Sequence, residues 1–291
     1  MSVGPVAGER DLGDTLIASA AAVTVAPRRG RQGTPAWAVV VLGLAIVFFL
    51  LPLYATLVFA LSDGRHFTVQ PLLDALARPD FLGGLQLSVV FSLATVIVSM
   101  ILVAPTAYLV VLRFPRLRTA LDFISILPFV TPPIILTLGL REVYGIHSPF
   151  GADLVGSPLL IVAGYFVLTL PYMFRAVDIA LRAVDVRTLT EASESLGAGP
   201  VRTFVRVILP AIRTGLVSGA LLCFTTVMGE FTFASLLGYV TFPVVLNGIY
   251  ASSPRQASAL VIIAFLITWA AVLTLAFVGR RDRQGATAPI G

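Results

Sequence analysis

No lysine occurs anywhere in the 291 residues, so all twenty basic side chains are arginine. That absence excludes the P-loop, G-x4-G-K-[S/T], because its lysine must reach the terminal phosphates of a bound nucleotide. A single cysteine, Cys223, leaves neither a disulfide framework nor a thiolate metal site to build. The two histidines, His66 and His147, lack second ligands at metal-binding spacing and read as structural or solvated rather than as zinc ligands. No G-x-S-x-G elbow accompanies the many serines, which disfavours membrane hydrolysis. Charge is scarce too: 12% of residues carry it, 57% are hydrophobic, and the mean hydropathy is +0.96. Such a chain belongs in a bilayer.

What is present is a series of long runs free of Arg and, Glu230 apart, of Asp and Glu. A helix needs about 20 apolar residues to cross the hydrocarbon core at about 1.5 Å per residue. Six runs qualify, at roughly 36–61, 84–111, 123–140, 157–174, 214–236 and 258–279. They are continuous rather than alternating, which predicts helices that satisfy their own backbone in lipid rather than barrel strands. The expectation is an all-α polytopic membrane protein with about six transmembrane helices. With the N-terminus in the cytoplasm, sixteen of the twenty arginines fall inside and only Arg65, Arg78, Arg141 and Arg255 outside. This positive-inside split predicts that both termini are cytoplasmic, and it reads the net charge of +5 as topology rather than nucleic-acid binding. Residues 1–35 are expected to form a mostly disordered cytoplasmic tail. Their acids (Glu9, Asp11, Asp14) precede the PRRGR cluster, the reverse of a secretory signal. Residues 36–280 form the transmembrane domain, and 281–291 a second cytoplasmic tail.

The longest polar interruption runs from Arg175 to Arg213. Its first part keeps Val177, Leu181, Val184 and Leu189 at near-helical spacing, and Asp178 can pair with Arg182 one turn on. Gly197 fits a left-handed helix cap, Gly199 a flexible joint, and Pro200 the first turn of a new helix running toward Pro210. The spacing predicts a helix, a tight turn and another helix. Two readings stand for it: a connector that reverses the chain, or a docking element. In the second, small Ala192, Ser193 and Ser195 admit a partner's backbone and Glu191 and Glu194 meet basic groups.

Between Arg213 and Arg255 the only charged side chain is Glu230. As part of a continuous fifth helix it would lie about 25 Å from the cytoplasmic end. An acid there faces a cavity, a partner or water. It reads either as a carboxylate on the translocation path or as a helix-end residue held by neighbouring backbone. Pro128, Pro132 and Pro133 must bend the third span. Gly83 and Gly84 favour close helix contacts.

The segment EASESLGAGPVRTFVRVILP resembles the EAA loop of ATP-binding-cassette importer permeases, EAA-x3-G-x9-I-x-L-P. Glu191, Ala192, Gly197, Leu209 and Pro210 match, while Ser193 stands in place of the second alanine and Val207 in place of the isoleucine. The resemblance extends over roughly residues 80–280. It implies the type I importer permease (MetI-like) architecture, with a coupling loop at about 187–210. Glu191, Ala192, Ser193, Gly197, Leu209 and Pro210 would then be the ATPase-coupling residues and Glu230 a position on the translocation path. By the same resemblance this chain binds no cofactor, ATP and Mg being used by a partner. The partners implied are two copies of an ABC ATPase subunit, a second permease of a different sequence and an extracytoplasmic binding protein, in a bacterial cytoplasmic membrane. The branch it resembles most handles spermidine and putrescine, and related members handle 2-aminoethylphosphonate, ferric iron or molybdate. A rival of another class is an ion-coupled secondary transporter using Glu230.

Overall fold

A computed structural model describes residues 36–62, 66–145 and 154–285. The N-terminal tail, His147 and the last six residues of the expected C-terminal tail lie outside these. The chain divides into two units, residues 1–53 and 54–291. The described part of the first is the beginning of helix α1 (Ala36–Ala60), 25 apolar residues that are long enough to cross a membrane.

In the second unit, α2 (Gln70–Leu76) precedes α3 (Pro79–Arg113), a 35-residue helix opened by Pro79, whose missing N–H costs nothing at a first turn. A 3₁₀ turn (Pro115–Leu117) leads to α4 (Arg118–Val130) and α5 (Pro133–Tyr144). These two are bent by 103° at their junction. The prolines explain the break. A residue before proline is pushed out of the α region, and here two prolines follow one another. Thr131 (ψ 118°) and Pro132 (ψ 136°) are both extended, so the third expected span is two arms rather than one kinked helix.

Helix α6 (Pro158–Arg182) carries the fourth span and continues two turns beyond the expected apolar run. After α7 (Val186–Ser195), α8 (Pro200–Ala211) contains a π-helical turn from Phe204 to Ile208. There Leu209 N–H bonds to the carbonyl of Phe204, five residues back. The widened turn sits just before Pro210, where a regular α-turn would press the proline ring on the carbonyl of residue 206. A 76° bend at Ile212 then starts α9 (Arg213–Met228).

The fifth span was expected to continue to residue 236, but α9 stops at Met228 and a separate helix α10 (Thr232–Leu237) follows. Gly229 ends the first helix, and the Glu230 carboxylate takes up the amides that start the second. Among the described residues two further helices follow, α11 (Phe242–Ser252) and α12 (Pro254–Gly285). Eleven-residue α11 is too short to span and was not anticipated. Among the described residues four helices are long and apolar enough to cross a membrane, and counting each bent pair as one span gives up to six.

The core of this unit is α3, α6 and α9, packed through Val103, Tyr108, Met173, Val177, Cys223 and Phe224. Close approach of α9 to α6 depends on Gly215 and Gly219. A methyl group on Gly215 would press on Ala180 and the Ala176 carbonyl, and one on Gly219 would come within 2.8 Å of the Met173 sulfur. Gly84 lets α3 approach the start of α11, where Ser88 Oγ accepts the Phe242 N–H at 3.0 Å. Gly83, by contrast, has open space at its Cβ position.

Candidate functional site

The polar segment 185–211 folds as a capped helix, a turn and a second helix. Asp185 caps α7: one carboxylate oxygen accepts the Thr188 N–H at 3.1 Å and the other the Thr188 hydroxyl at 2.7 Å. These bonds, the hydroxyl's first, hold the Asp185 carboxyl below its ordinary range. At the other end Gly197 has φ +81°. Its N–H reaches the carbonyl of Glu194 at 2.9 Å, and the N–H of Ala198 reaches that of Ser193 at 3.1 Å. That pair of bonds is a Schellman cap. Gly199 is the extended residue before α8 and Pro200 opens that helix, as expected from turn chemistry.

Two hydroxyl contacts fasten α7 from behind. Thr190, buried, donates to the Val186 carbonyl at 2.7 Å, so the Tyr108 hydroxyl, 3.1 Å away, donates to Thr190. Tyr108 belongs to α3, and its ring lies 5.3 Å from that of Phe204 in α8. Ser193 Oγ and Thr203 Oγ1, both buried, are hydrogen-bonded at 3.0 Å and tie α7 to α8. Ser193 therefore faces inward, and the space it leaves for a neighbouring backbone is used within the chain. Glu191, Ala192, Glu194 and Ser195 remain on the exposed side. Beside them Leu196 is 89% and Val201 76% exposed, a pair of uncovered apolar side chains on the turn. Leu209 packs against the core, while Pro210 is exposed. Glu191, Ala192, Ser193, Gly197, Leu209 and Pro210, the positions of the EAA-loop resemblance, all lie in this segment, and Tyr108, which fastens it through Thr190 from 82 positions away, had no signal in the local sequence.

Just before this segment, in the last two turns of α6, lies an ionic cluster. The Asp178 carboxylate is bonded by Arg182 on the same helix, as its spacing predicts, with Nη2 to Oδ2 at 2.7 Å. It is also bonded by Arg118 of α4, with Nη2 to Oδ1 at 2.9 Å, a partner that sequence reasoning did not find.

Glu230 occupies the break between α9 and α10. Oε1 accepts the Thr232 N–H at 2.8 Å and Oε2 the Phe233 N–H at 2.9 Å. The carboxylate is half-buried, with the Tyr165 hydroxyl against it. Tyr165 itself is fully buried, its ring 5.7 Å from that of Phe233. Glu230 thus anchors a helix break inside an otherwise apolar bundle. Such discontinuities are where membrane transporters place backbone at the disposal of a solute or ion.

A helical bundle with broken spans, and a capped helix-turn-helix held at one end with an acidic, small-residue face outward, has the form of a membrane permease subunit. The chain belongs to the family of binding-protein-dependent transport system inner membrane components, whose model matches residues 96–281. It is a permease subunit of an ATP-binding-cassette importer. Among curated relatives, the spermidine/putrescine transport system permease PotB of Haemophilus influenzae is 29% identical over 66% of this chain and 73% of its own length. The sulfate transport system permease CysW of Synechocystis is 30% identical over 80% of this chain and 88% of its own. The molybdenum transport system permease ModB of Azotobacter vinelandii is 29% identical over 54% and 73%. Among solved structures, a chain of a bacterial ABC transporter for the import of the acidic polysaccharide alginate superposes with a TM-score of 0.61. At 17% identity it covers 94% of this chain and 99% of its own. A chain of the MetNI methionine ABC transporter gives a TM-score of 0.52 at 19% identity, covering 72% and 96%. At these identities the structural likeness is one of fold.

Proposed function

We propose that this subunit imports a polyamine of the spermidine and putrescine class, delivered by a binding protein and driven by ATP hydrolysis on a separate ATPase. The reading that α7 and the following turn contact that ATPase rests on one observation above the others. The EAA-like residues Glu191 and Ala192 are exposed on a helix that is capped at both ends and fastened behind by Tyr108 and Thr203. A helix so held passes a push to the bundle rather than yielding to it. In this reading α7 lies in the cytoplasm with both chain termini. Two ATPase copies, which together hold the ATP and Mg, close beneath this subunit and a second, different permease. The bundle then switches between inward-facing and outward-facing states as rigid bodies.

The polyamine assignment is supported by the likeness to a spermidine/putrescine permease and by Glu230, the only charge on the helices between Arg213 and Arg255. Glu230 is proposed to line the translocation path from the break it caps, where a carboxylate favours a cation. An oxyanion cargo is the second reading, favoured by sulfate and molybdenum permeases at similar identity. The test is uptake by cells that express the chain with the ATPase and binding protein encoded beside it. Labelled spermidine and putrescine should accumulate, and labelled sulfate and molybdate should not. Accumulation of either anion without polyamine reverses the substrate assignment.

A further inference from the structure

We infer that Asp178 is a positioning residue for transport: it fastens α4 to α6, so that movement of the α7 segment is delivered to the break at Thr131–Pro132. The inference rests on the permease reading above.

The joint is built from complementary charges on two helices. Helix α4 carries Arg118 and Asp122 one turn apart, and α6 carries Arg175, Asp178 and Arg182 on successive turns. Crosswise, Arg118 faces Asp178 and Asp122 faces Arg175, the pattern that antiparallel neighbours give. The two crossings are unequal. Arg118 reaches both oxygens of Asp178, at 2.9 and 3.3 Å, and Arg182 adds bonds at 2.7 and 2.9 Å. The Asp178 side chain is only 6% exposed, so water replaces none of this if a partner is lost. Arg175 and Asp122 stand 3.7 Å apart, beyond hydrogen-bond length, with the Asp122 side chain 31% exposed. Their attraction is weaker and screened, and the fastening rests on Asp178.

The position of this joint is what gives it a task. From Asp178, α6 runs one turn to Arg182 and then through three residues to α7. At the far end of α4, Phe129 packs edge-on against Tyr172 of α6 at 5.2 Å, so α4 is held to α6 at both its ends. Immediately beyond comes the extended pair Thr131 and Pro132. Past it α5 packs on α10 and on the N-terminal half of α6, through Leu136 and Leu140, and Arg141 donates to the Leu236 carbonyl at 3.1 Å. Helix α6 therefore carries α4 on its C-terminal half, next to α7, and α5 with α10 on its N-terminal half, with the proline break between the two attachments. A displacement of the α7 end of α6 reaches that break from the α4 side while α4 follows α6.

The test compares ATP hydrolysis with uptake in proteoliposomes holding the complete transporter. Uptake is read with whichever of labelled spermidine, sulfate or molybdate the wild type accumulates. Asp178→Asn should lower uptake about tenfold while hydrolysis stimulated by the binding protein stays within about twofold, because coupling and not assembly is lost. Asp122→Asn should change the uptake-to-hydrolysis ratio by less than about twofold. Arg118→Gln, which removes the cross-helix partner and leaves the Arg182 bond, should lower the ratio in the same way, whereas Arg118→Lys, which keeps a charge there, should retain most of it. Asp178→Asn with a wild-type ratio, parallel loss of hydrolysis and uptake, or a wild-type ratio in Arg118→Gln each overturns the inference alone. Wild-type uptake that ignores ATP overturns the permease reading and the inference with it.

Discussion

Gly197 has the left-handed conformation that its place in the cap of α7 demands, and a Cβ there would meet nothing within 4 Å. Any penalty for a side chain is therefore conformational, about 1–2 kcal/mol for an ordinary residue and more for a β-branched one. Gly197→Val should leave the chain in the membrane but abolish co-purification with the ATPase and uptake, whereas Gly197→Asn, which tolerates positive φ, should retain part of both. Normal uptake by Gly197→Val would remove the coupling role from this turn. Glu230 serves two amides at once, and Gln keeps an acceptor for only one of them. Glu230→Gln should lower polyamine uptake at unchanged levels of assembled transporter. An unaltered rate would leave Glu230 as a helix cap and nothing more.

At the scale of elements, local chemistry was legible and distant partnership was not. The Gly197 cap, the start of α8 at Pro200 and the Asp178–Arg182 pair follow from spacings of a few residues, and all are in place. Tyr108 and Thr190 are 82 positions apart, and Arg118 and Asp178 are 60. No periodicity in one segment reports a partner in another. The prolines marked a bend in the third span, but the 103° angle comes from two consecutive extended residues. The fifth span was read too long because apolar residues continue past Gly229, and hydropathy does not register a helix that stops and restarts. The α6–α9 contact had a signal that went unread, Gly215 and Gly219 four residues apart on one helix face. Gly215→Leu forces atoms against the Ala176 backbone, where overpacking costs about 1–3 kcal/mol or more. It should lower the thermal midpoint of the detergent-extracted chain, while Gly83→Leu, with open space at its Cβ, should not.

For the whole molecule, the family places the work of transport on two kinds of chain: this one spans the membrane, and without lysine it has no P-loop of its own. In the function proposed above, energy arrives through the exposed face of α7 and not through an ion bound at Glu230. The most direct measurement of this claim is uptake in cells where membrane potential and ATP are varied separately. The account predicts that uptake persists when an uncoupler collapses the potential at constant ATP, and ceases when ATP is depleted with the potential intact. Uptake abolished by the uncoupler while ATP is held constant would contradict it, and would make Glu230 the coupling site of an ion-driven transporter.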